Sequence, residues 1–175
     1  MFNEERDDTY GSVKETSMSA EERLAAKLSE LKTLLPPPSE PKGVYRPLVI
    51  VGNLVYLSGH LPVRPSGELV TGRLGAELTM EAGYDAARLA GLGILASLRK
   101  QFGTLDRIRR VVKVLGVVNS TPEFTHIPAV INGCSELFGQ IFGSDAGIGA
   151  RSAIAAPALP LGVAVEIEAI FELES

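Results

Sequence analysis

Three side chains near the C-terminus are suited to chemistry on a small acid. Arg151 stands 15 residues before Glu166, and Glu168 follows two places later. A guanidinium presents a planar fork of donors that grips a carboxylate at two points. A carboxylate drawn partly out of water can take and return a proton near neutral pH. The stretch from Val163 to Phe171 alternates strictly. A strand there buries Val163, Val165, Ile167, Ala169 and Phe171 on one face and turns Glu166 and Glu168 to the other. If residues 151–156 pair with this strand as a hairpin through Pro157 to Gly162, Ala153 falls opposite Glu166. Arg151 then lies opposite Glu168 and diagonal to Glu166, about 7–8 Å away. From alternation alone the charges form either an ion pair or the walls of a ligand gap, and ion pairs are commoner.

Other chemistries find less support. Cys134 is the only cysteine, so no intrachain disulfide forms, which suits a reducing compartment. It lies among small residues of a helical stretch and reads as a buried, inert thiol. The histidines are His60 and His126, with no H-E-x-x-H and no Cys/His cluster, so no metal site is expected. Neither a dinucleotide fingerprint nor a P-loop is present, and no cofactor is expected. The net charge of −4, the lack of a basic run and the absence of Trp disfavour nucleic acid as a partner. The acidic start, Met1 to Asp8, does not resemble a signal or transit peptide, and no apolar run of membrane length exists. A cytoplasmic protein with no membrane partner is expected.

The elements that must position these residues follow from caps, breakers and periodicity. Residues 1–18 are polar and expected to be disordered. Ser19 and Glu22 have capping-box spacing, and Leu24, Leu28, Leu31 and Leu35 continue at helical spacing until Pro36-Pro37-Pro38 ends the run. Residues 1–42 therefore read as an N-terminal extension, a helix plus a proline-rich linker, and 43–175 as the main domain. Segments 44–51 and 54–58 are strand-like around a Gly52-Asn53 turn, with a further short strand at 68–71. Thr79 caps a helix to Phe102, which Gly103 ends. Residues 108–118 form a β-branched strand, Pro122 opens a second helix over 123–142, and strands at 151–156 and 163–173 close the chain. The order predicts an α+β fold: a mixed, antiparallel-rich sheet with both long helices on one face.

Ala150-Arg151-Ser152-Ala153, Leu159-Pro160 and Val165-Glu166-Ile167-Glu168-Ala169-Ile170 together resemble the Rid/YjgF family of reactive-intermediate deaminases, also labelled L-PSP endoribonucleases. Gly52-Asn53-Leu54-Val55-Tyr56-Leu57-Ser58-Gly59, Tyr45 and Ile131-Asn132 match further family positions in chain order. The resemblance covers roughly residues 43–173. It implies a chorismate-mutase-like fold of the bacillus type, and a homotrimer whose sheets form an inner barrel with sites in clefts between neighbours. It also implies hydrolysis of unstable enamines and imines such as 2-aminoacrylate. In that reading Arg151 binds the substrate carboxylate and Glu166 handles water and proton, while Tyr45, Ser58, Gly59, Asn132 and Ala153 line the pocket. Ala153 replaces a frequent family Cys and His60 a frequent Gln. His60 and Glu168 are accordingly secondary candidates. A trimer that binds small carboxylates without turnover, and a nuclease, are the other readings.

Overall fold

The computed structural model describes residues 18–41 and 43–174. The expected disorder of the leading segment, up to residue 17, concerns residues outside these. Helix α1 (Ala20–Glu30) begins at the expected capping box. Ser19 Oγ accepts the Glu22 N–H at 3.3 Å, and Glu22 Oε2 accepts the Ser19 N–H at 2.8 Å. Helix α2 (Met80–Phe102) is capped by Thr79 and ends at Gly103, whose φ of 79° suits a residue without Cβ. Helix α3 (Ile127–Phe142) begins four residues later than expected. Pro122 lies in a turn closed by Phe124 N–H on the Thr121 carbonyl, and Pro128 occupies the helix's first turn. Proline suits a turn as well as a helix start, so either one fits the pattern.

Among the described residues five strands make one sheet: β1 (Leu48–Val51), β2 (Leu54–His60), β3 (Ile108–Asn119), β4 (Ala150–Ala156) and β5 (Val165–Leu173), in the order β1-β2-β5-β3-β4. Only β3 and β4 are parallel, joined by α3 as the crossover that parallel neighbours require. The α+β class is as expected. The expected β4–β5 hairpin is not: β3 lies between them and pairs with both. Alternation dictates which residues of a strand share a face but not which strand stands beside it. The proline-containing link 157–164 resembles a turn yet carries the chain across β3.

Helices α2 and α3 cover one sheet face. Val165, Ile167 and Phe171 of β5 are fully buried there, with Phe171 edge-on to Phe138 at 5.4 Å between centroids. The two helices approach closely because Gly133 has no side chain: a Cβ there would strike the Tyr84 carbonyl oxygen. Helix α1 joins the same core through Leu24, which is 1% exposed, and Arg23 donates to the Ile141 carbonyl at 3.1 Å. Among the described residues no helix covers the opposite sheet face, and Val49, Tyr56 and Ile154 are exposed on it. Among the described residues no helix is long and apolar enough to cross a membrane.

Candidate functional site

The expected site residues fall into two groups. The first lies where β1 gives out. Its last residue toward this end, Leu48, pairs with Leu57, so Ser58, Gly59 and His60 of β2 face a cavity instead of a strand. That cavity holds about 900 Å³ and is lined by Tyr45, Ser58, Gly59, His60, Glu166 and Glu168, among others. Gly59 is needed for contact: a Cβ on it would overlap Glu166 Oε1. Glu166 is partly buried and Glu168 exposed. Burial, and secondarily the Glu168 charge, hold the Glu166 carboxyl above its ordinary range. Among the described residues no cation or hydrogen-bond donor meets Glu166. The Ser58 hydroxyl donates to the Arg46 carbonyl at 2.6 Å, which ties down the segment carrying Tyr45.

The second group stands on the far edge of the sheet. Arg151 pairs with Val114, and Val114 with Ala169, so Arg151 shares the helix-covered face with Ala169 rather than the open face with Glu166. Its Nη1 donates to Asn132 Oδ1 at 2.8 Å and to Ser135 Oγ at 3.2 Å, both on α3. Ala153 lies on the same face, opposite Gly116. Glu166 is level with Ile154, three residues along β4 and two strands away, so its Cα is roughly 14 Å from that of Arg151 at ordinary strand spacings. The diagonal contact expected from the hairpin is therefore absent, and so is the alternative ion pair. No carboxylate lies within ion-pairing distance of Arg151 among the described residues.

His60 is 2% exposed and both ring nitrogens are engaged, Nδ1 with the Ser58 carbonyl at 2.7 Å and Nε2 with Ser97 Oγ at 2.8 Å. Burial lowers its pKa, so the ring is neutral at neutral pH. Cys134 is fully buried and its thiol is pushed far up by desolvation, with the nearby Arg151 charge opposing weakly. No cluster of three metal-ligating side chains occurs among the described residues. Two participants escaped the sequence reading. Ser135, one turn after Asn132, was legible from i,i+3 spacing. Ser97 was not, because its partner is 37 residues distant.

Comparison with known proteins gives a consistent picture. A family described as "YjgF/chorismate mutase-like, putative endoribonuclease" matches residues 21–173. Protein TCP17 of Trypanosoma cruzi is 40% identical over 159 residues, covering 91% of this chain and 99% of its own. The crystal structure of Atu1372 from Agrobacterium tumefaciens, of unknown function, superposes with a TM-score of 0.80 at 38% identity, covering 89% of this chain and 96% of its own. RidA from the Antarctic bacterium Psychrobacter sp. PAMC 21119 superposes with a TM-score of 0.55 at 29% identity, covering 80% of this chain and 96% of its own.

Proposed function

The chain belongs to the YjgF/chorismate mutase-like family, and from that premise we propose that it hydrolyses small reactive enamines and imines of the 2-aminoacrylate type to 2-keto acids and ammonia, at sites completed between the subunits of a homotrimer. One observation carries the reading. Arg151 and Glu166 are both partly buried, and neither has an opposite charge beside it among the described residues. Unpaired charge drawn out of water is costly, so each group suits a partner from outside its own chain. A neighbouring subunit that brings its Arg151 edge to this subunit's cavity supplies that partner and leaves room for a substrate carboxylate between them.

The residues then have distinct tasks. Asn132 and Ser135 occupy Nη1 of Arg151 and orient its plane, which leaves the Nη2 and Nε side to take the carboxylate in two bonds. After protonation at C3 the enamine is an iminium ion, the electrophile at C2. Glu166 accepts a proton from water as the oxygen attacks C2, forming a carbinolamine. It returns that proton to nitrogen and then takes the hydroxyl proton as the C–N bond breaks, so ammonia leaves, the carbonyl forms and the last proton passes to ammonia. A carboxyl with a raised pKa serves both directions of this transfer. Three carboxylates, Glu40, Glu166 and Glu168, line the cavity and repel a phosphate backbone, which weighs against the nuclease reading.

The test is release of 2-keto acid from freshly generated 2-aminoacrylate, with purified RNA as a parallel substrate. Turnover of the first and an intact second are expected. Binding of a keto acid without turnover leaves a carboxylate-binding protein, and RNA cleavage overturns the proposal.

A further inference from the structure

The outer wall of the cavity is not built from the sheet. Pro37, Pro38, Ser39 and Glu40, from the proline-rich segment after α1, line it together with Glu166. Two polar contacts tie this strap to α2 among the described residues. Glu40 pairs with Lys100 at the surface, where an ion pair is well screened. The Ser39 N–H reaches Ser97 Oγ at 3.4 Å, and Ser97 is 5% exposed. The donors and acceptors around Ser97 assign themselves. The Ser58 carbonyl only accepts, so His60 Nδ1 bears the hydrogen and Nε2 of the neutral ring accepts. The Ser97 hydroxyl therefore donates to Nε2 and keeps its lone pairs for the Ser39 N–H. A continuous run of hydrogen bonds joins Ser58, on the sheet side of the cavity, to Ser39 in the outer wall.

The lining also has an apolar part: Pro37, Pro38, Val63, Leu69 and Leu161. Leu161 has a φ of 57°, a conformation that glycine adopts freely and leucine resists, yet the residue is 62% exposed. An apolar group is held out at the cavity despite an unfavourable backbone. In the single chain, before a neighbouring edge enters it, the cavity holds about 900 Å³, toward the upper end of the roughly 300–1,000 Å³ of ligand pockets and far more than a three-carbon acid fills.

We infer that the Pro37–Glu40 strap is the specificity wall of this cavity, with Ser97 and His60 as its positioning residues, and that it selects a 2-keto or 2-imino acid bearing a bulky apolar substituent over the three-carbon parent. The inference rests on the carboxylate-binding reading above and adds the substrate class.

Calorimetric titration of the full chain with pyruvate and with 4-methyl-2-oxopentanoate tests it. The branched acid binds wild type at least about tenfold more tightly, as burial of its extra carbons predicts. Ser97→Ala releases the strap and brings the affinity ratio toward one. Should that variant not fold, the doubly substituted Pro37→Gly/Pro38→Gly chain removes apolar wall surface without touching the core, and the same fall in ratio is expected. Equal affinities in wild type, or an unchanged ratio in the folded variant, overturn the inference and leave the function intact. Failure of both acids to bind overturns both.

Discussion

Glu166 and Arg151 occupy contrasting places in one sheet. Glu166 is on β5, an inner strand with neighbours on both sides, and its carboxylate lies against the bare backbone of Gly59. Arg151 is on β4, an edge strand paired only with β3, and takes its orientation from α3. An inner strand holds a group still under partial desolvation, which is what raises a carboxyl pKa. An edge strand leaves one side unpaired among the described strands, free for a second chain. Both groups are partly buried, one against an inner strand and one against α3, and neither has an opposite charge beside it among the described residues, as expected if each completes the other in a second copy of the chain.

The largest expected effect strikes the acid half. Glu166→Gln keeps the shape and removes the base, so turnover of 2-aminoacrylate falls about 10²–10⁴-fold while keto-acid binding persists. Undiminished turnover assigns the proton transfer elsewhere.

Mixing the two lesions tests whether the halves belong to different subunits. Coassembled Arg151→Lys and Glu166→Gln chains form mixed trimers in roughly three quarters of cases, each with one site carrying both native residues, so about a quarter of wild-type activity returns. No recovery in verified mixed trimers means that each site lies within one chain. A monomer by light scattering at micromolar concentration removes the trimer itself.

Arg151→Lys alone preserves the charge and loses the fork. Affinity for a 2-keto acid is expected to fall roughly ten- to a hundredfold, about 1.5–3 kcal/mol. Calorimetric binding equal to wild type dismisses Arg151 as the carboxylate anchor.

The smallest effect concerns stability. Burial raises the Glu166 pKa in the folded chain, so its contribution is full below the ordinary carboxylate range and is lost as pH rises through the folded value. Glutamine does not titrate. Glu166→Gln should therefore melt higher than wild type at neutral pH, with the difference shrinking toward acid. A constant difference across pH contradicts the desolvation account.

Much of the fold was legible because its signals are local. The Ser19 box, the Thr79 and Gly103 caps and the alternation of β5 each concern residues within a few positions of one another. The acid half was legible too, since alternation turned Glu166 and Glu168 away from the core and the family motif supplied Ser58 and Gly59. The Arg151 cluster was misplaced because its position depends on a neighbour. Pro157 to Gly162 resembles a hairpin turn, and nothing nearby reveals that β3 occupies the space.

The sequence by itself determined the helical segments and the caps at Ser19, Thr79 and Gly103, which residues of one strand share a face, and the residue types available for carboxylate binding and proton transfer. These follow from backbone periodicity and short-range hydrogen bonds. Only the tertiary structure decided that β3 separates Arg151 from Glu166, that the two lie on opposite faces, and that Pro37 to Glu40 reach the cavity through Ser97. Strand order and the docking of distant segments are set by competition among long-range pairings, and a period of two is the same whichever strand stands alongside.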